Sequence, residues 1–136
     1  MIVKEWTRQA AATTKENQQD VLANELLRER AMVLARAGFA VEEALARLQT
    51  IERQLEDMIQ ARLSVNEELC NAPAVERHTS FEEIDGLIDQ FNTARKKAEI
   101  QFYYLIVTRE AMGIRRHETV QRLYTIPPKR KRIQAD

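Results

Sequence analysis

From Val41 onward the apolar positions recur in alternating steps of three and four: Val41, Ala44, Leu48, Ile51, Leu55, Met58. That spacing is the a/d seam of a helix packed along another helix. Arg62 interrupts the seam, while Ile59 and Leu63 carry the stripe one position round, a shift that a slight rotation of the helix absorbs. Upstream, Val21, Leu22, Leu26, Val33, Leu34 and Ala37 extend a similar stripe. The pattern predicts a first helix over about 18–69 with Gly38 inside it, where glycine costs on the order of 1 kcal/mol relative to Ala. No cap residue or proline accompanies Gly38, which favours a continuous helix over a break there.

The period is lost over 71–79, and Pro73 disfavours helical geometry at Ala72, so this stretch reads as a loop. Ser80-Phe-Glu-Glu83 has the spacing of a capping box and predicts a second helix over about 80–112. Its stripe is Phe81, Ile84, Ile88, Phe91, Ala98, Phe102, Leu105 and Met112, with Gly113 as the stop. Residues 117–124 can form a short third helix before Pro127 and Pro128 end it. Residues 1–17, which include Trp6, read as a flexible arm, and 127–136 as a disordered basic tail. The helical domain then runs over 18–126.

These elements make an all-α protein built on a long antiparallel hairpin. A reversal near Pro73 sets Leu45 opposite Phe102, Ala44 opposite Tyr103, Glu42 opposite Leu105 and Ala35 opposite Met112. Large residues thus meet small ones, and Gly38 reads as a point of close approach. Two helices cannot enclose a seam by themselves. Phe39, Val41, Tyr104 and Ile106 lie off the main stripes and suggest a second apolar face that pairs two hairpins into a homodimeric four-helix bundle. The alternative is a monomeric three-helix bundle broken at Gly38.

Composition narrows the function classes. With 21 basic and 21 acidic side chains there is no global field to draw the protein to nucleic acid or an anionic membrane. The balance is locally uneven: beyond Met112, Arg115, Arg116, Arg122, Lys129, Arg130, Lys131 and Arg132 face only Glu118 and Asp136. This basic end is the alternative site, a weak and salt-dependent contact to nucleic acid. One cysteine, Cys70, excludes an intramolecular disulfide and suits a reducing compartment, so a cytoplasmic location is expected. The N-terminus lacks the apolar run of a secretory signal, and no stretch has the roughly 20 apolar residues of a membrane span.

The motifs of common chemistries do not occur. The three glycines, at 38, 86 and 113, are isolated, so there is no phosphate-binding loop. The residues three before His78 and His117 are Val75 and Ile114, where a carboxylate-bridged metal pair needs Glu. Cys70 has only His78 as a local base and sits at a helix end, which makes a filler role better than a nucleophilic one. No catalytic residue, metal or cofactor is assigned. An enzyme with a pocket between the helices ranks last of three readings.

Glu25-Leu-Leu-Arg-Glu-Arg-Ala31, Leu34-Ala-Arg-Ala-Gly38, Glu43-Ala-Leu-Ala-Arg-Leu48 and Val107-Thr-Arg-Glu-Ala-Met-Gly-Ile-Arg115, with Tyr124-Thr-Ile-Pro127, resemble an uncharacterised family of short helical bacterial proteins, a domain of unknown function. The resemblance covers about 20–48 and 100–128. It implies a bacterial cytoplasmic protein and carries over no site. The expected pairing itself brings charges together, since Arg109 faces Gly38 while Glu29 and Arg30 face Glu118 and His117. A network of Glu29, Arg109, Glu110 and Arg116 that fixes the hairpin register is therefore expected. The first functional reading is a non-enzymatic interaction or adaptor protein, a homodimer that binds a further, unidentified protein. A nucleic-acid-associated protein is the second.

Overall fold

The computed structural model describes residues 2–64 and 74–134, with side chains over 6–63 and 81–134. It is all-helical among these residues: α1 spans Ile2–Ser64, α2 Ala74–Ala111 and α3 Glu118–Leu123. Among the described residues no helix is long and apolar enough to cross a membrane. The chain divides into two units, Met1–Arg36 and Ala37–Asp136. Cys70 and the 65–73 connection lie outside the described residues, as does the side chain of His78.

In the first unit, residues 2–17 of the expected arm are helix. Ala10, Ala11 and Ala12 are strong helix formers, and Thr13 and Thr14 return their hydroxyls to the carbonyls of Gln9 and Ala10 at 2.8 Å. Extension from an existing helix needs no new nucleus, so a segment with no apolar period still propagates. From Trp6 to Val33 every side chain is exposed.

The second unit holds the core. Buried Val41, Leu48, Ile51 and Leu55 of α1 meet Ile84, Ile88, Phe91, Ala94, Ala98 and Leu105 of α2 in three clusters. These are largely the two stripes seen in the sequence. The pairing matches expectation where Leu45 and Phe102 share a cluster with Val41 and Leu105. Further along, Leu48 and Ile51 meet Phe91 and Ala94, about one helical turn nearer the loop than a reversal at Pro73 implies. Arg62, which breaks the α1 stripe, lies with its guanidinium 3.4 Å from the Phe81 ring centre.

Helix α2 begins at Ala74, not Ser80. Ser80 therefore falls a turn and a half inside α2 rather than at a cap. At the other end Gly113 is the stop that its position suggests. It has φ +88°, the Gly113 N–H donates to Glu110 O at 2.9 Å, and the Ile114 N–H donates to Arg109 O at 3.0 Å. This is a Schellman motif.

The flank of the hairpin is covered by the chain's own C-terminal end. Val120 of α3 is buried with Val41 and Leu105, and Tyr124 and Ile106 pack against that cluster. The face expected to pair two hairpins is thereby altered: Val41 and Ile106 are covered within the unit, whereas Phe39 and Tyr104 are exposed. The helix runs through Gly38, and the nearest atom to a Cβ built there would be the Tyr124 hydroxyl at 3.7 Å, an ordinary contact. Gly38 is neither a break nor a point that only glycine can occupy.

Candidate functional site: the strap groove

Residues 127–134, expected to be disordered, lie extended along the hairpin as a strap. What seats them is a polar row on α2. Asp85, Asp89, Asn92 and Arg95 follow at steps of four, three and three, on one face beside buried Ile84, Ile88 and Phe91. Arg95 Nε donates to Pro127 O at 2.7 Å, and a 2.8 Å ion pair with Glu99 one turn on holds the guanidinium. The Asn92 carboxamide pairs with the main chain of Arg130, donating to its carbonyl and accepting from its N–H, both at 3.0 Å. Asp85, only 1% exposed, accepts the N–H of Ile133 at 2.7 Å and of Gln134 at 3.1 Å. A carboxylate this deeply buried needs such donors to offset its lost hydration.

The spacing follows from two rises. Seven residues of helix from Asn92 back to Asp85 advance about 10 Å at 1.5 Å each. Three residues of extended chain from Arg130 to Ile133 advance about 10 Å at roughly 3.3 Å each. An extended segment running antiparallel to α2 therefore meets the helix again after three of its own residues.

Side chains add selectivity to this main-chain recognition. Arg130 Nη2 pairs with Glu52 of α1 at 3.2 Å while its guanidinium carbon lies 5.2 Å from the Phe91 ring centre. Arg132 Nε lies 3.5 Å from Asp89. The strap thus bridges both long helices. Of the seven basic residues assigned to a nucleic-acid surface, Arg130 and Arg132 face carboxylates of their own chain, whereas Arg115, Arg116, Arg122, Lys129 and Lys131 are exposed.

Of the residues expected to form a register network, Arg109, Glu110 and the Arg116 main chain are brought together in the turn after α2. Arg109 Nε donates to His117 Nδ1 at 3.3 Å, and Arg109 Nη2 to the Arg116 carbonyl at 3.0 Å. His117 Nε2 lies 3.1 Å from Glu110 Oε1. A guanidinium only donates, so Nδ1 accepts, and Nε2 carries the hydrogen shared with Glu110. These contacts close the turn between α2 and α3. Arg116 joins through its main chain, and Glu29 is an exposed residue of the other unit. His117, for which the sequence offers no metal-ligand spacing, is a member of the cluster.

Below α3 the Tyr124 hydroxyl donates to Glu42 Oε1 at 2.8 Å. That hydrogen bond, then burial, then the Glu42 charge raise the phenol pKa above its ordinary 10.0. Among the described residues no group of three or more His, Cys, Asp or Glu side chains could hold a metal.

No family model, curated protein or solved structure matches this chain.

Proposed function

We propose that this is a non-enzymatic helical interaction protein of bacterial type, acting as a homodimer that joins through the apolar face of its first 36 residues. The observation that carries the reading is the exposure of that face: Leu22 is 63% exposed, Leu26 49%, Leu27 62% and Val33 44%. At 100° per residue these four fall within half the circumference of the helix. Single exposed leucines are ordinary, but a continuous stripe of them marks an association surface.

Charge favours a second copy as the occupant. Arg30 lies at the middle of the apolar half, where a guanidinium needs a carboxylate once water leaves. A second copy running antiparallel about the 29–30 midpoint sets Leu26 against Val33 and Arg30 against Glu29. Each contact then occurs twice, as a twofold axis requires. Glu29 takes in this arrangement the intermolecular role that the hairpin network does not give it.

Light scattering over a range of concentrations tests the reading. The expected result is a species of twice 15.8 kDa, converted to monomer by Leu26→Asp together with Val33→Asp without loss of helicity. A protein that stays monomeric at all concentrations rules the proposal out.

A further inference from the structure

The strap is held in the manner of a bound peptide. Five of its contacts with α2 are to main chain: Pro127 O to Arg95, Arg130 N–H and O to Asn92, and the Ile133 and Gln134 N–H groups to Asp85. Glu52, Asp89 and the Phe91 ring add recognition of two arginines. A groove that reads the main chain is indifferent to whether the segment lying in it belongs to the same chain.

We propose that the groove formed by Glu52, Asp85, Asp89, Phe91, Asn92 and Arg95 is a binding site for an extended basic peptide. The strap is its resident ligand, and the strap of a second copy of this chain is the segment it accepts in exchange. The cognate segment must supply free N–H groups three residues apart, an arginine at the first of them and another two residues later. Residues 126–134 meet all three conditions. Exchange between copies preserves every contact, so the tethered strap is favoured only by its high effective concentration, of order mM for short linkers. This inference is independent of the pairing proposed for the first 36 residues.

The test uses the full-length chain carrying Arg130→Pro and Ile133→Pro, which remove two N–H groups from the strap and leave the groove residues unchanged. A fluorescent peptide of residues 125–136 is expected to bind this chain, measured by anisotropy. Binding to the unaltered chain, whose own strap competes, is expected to be at least tenfold weaker. A peptide with the same two prolines should not bind, and adding Asn92→Ala to the receptor should weaken binding at least tenfold. Failure of the peptide to bind a proline-bearing chain that keeps its helicity and cooperative melt overturns the proposal. Should that chain not fold, amide exchange on the unaltered protein decides. Release of the strap alone exchanges the Arg130, Ile133 and Gln134 amides faster than those of Phe91 and Leu105, and exchange of both sets only together overturns it.

Discussion

One substitution, glycine to alanine, should have opposite signs at the three glycines. At Gly38 and Gly86 the backbone is helical, and an added Cβ meets nothing closer than the Tyr124 hydroxyl at 3.7 Å in the first case and nothing within 4 Å in the second. Each change removes unfolded-state freedom without a clash and should stabilise by roughly 0.5–1 kcal/mol. At Gly113 space is equally open, but φ is +88°, and a side chain there carries a strain of about 1–2 kcal/mol. For a unit of about 100 residues, 1 kcal/mol moves Tm by roughly 4–8 °C. Urea denaturation of the three single variants, compared at constant m-value, separates the cases. Destabilisation by Gly38→Ala would refute the reasoning, because it would mean that α1 does not run on as helix there or that Tyr124 packs closer than 3.7 Å. Stabilisation by Gly113→Ala would equally remove the Schellman turn.

Further expectations follow from the strap and from Tyr124. Asp85→Ala deletes two charge-assisted hydrogen bonds worth roughly 1.5–3 kcal/mol each. Because the released strap amides can reach water, the urea-measured loss should be about 2–4 kcal/mol, and a loss below about 0.5 kcal/mol would show that the strap does not lean on this carboxylate. Leu48→Ala, in the middle of the seam, should cost about 2–5 kcal/mol by the same assay, and a smaller loss would place the core elsewhere. The raised phenol of Tyr124 favours the protonated form in the folded state. Its contribution to stability is therefore complete below pH 10.0 and declines as pH rises through the higher folded value. A tyrosinate absorbance titration should show a component ionising above the ordinary phenol range, and Tyr124→Phe should remove it. A titration curve unchanged by Tyr124→Phe in its late part would contradict the Glu42 contact.

The hairpin was legible because its information is periodic. Val41, Leu48, Ile51 and Leu55 and their partners from Ile84 to Leu105 repeat at helical spacing, and burial follows that repeat. The helix starts were less legible, since both a proline and a capping box can mark an entry and the two lie seven residues apart. The strap left no pattern at all: eight residues, half of them basic, resemble a solvated tail, and an extended segment held through its main chain needs no apolar residue to announce it. Its receptor carried a faint signal. Asp85, Asn92 and Arg95 sit beside stripe residues Ile84 and Phe91, on the margin of the buried face, where a polar side chain has to find a partner. The Arg109–Glu110 cluster was half legible, because the two charges are plain in the sequence, whereas the fold of the turn that brings the His117 ring between them is not.

The contact row between α2 and the strap works as a vernier, two scales of different pitch that coincide only at widely spaced marks. A scale of this kind tolerates rewriting between its marks but not a change in the number of divisions. Lys129 and Lys131, exposed on either side of the Arg130 mark, are free to change in charge, size or modification state. Inserting or deleting one residue between Arg130 and Ile133 displaces every later mark by about 3.3 Å, more than the tolerance of any hydrogen bond. In this segment length is a constraint beside the two arginines, and composition is free at Lys129 and Lys131.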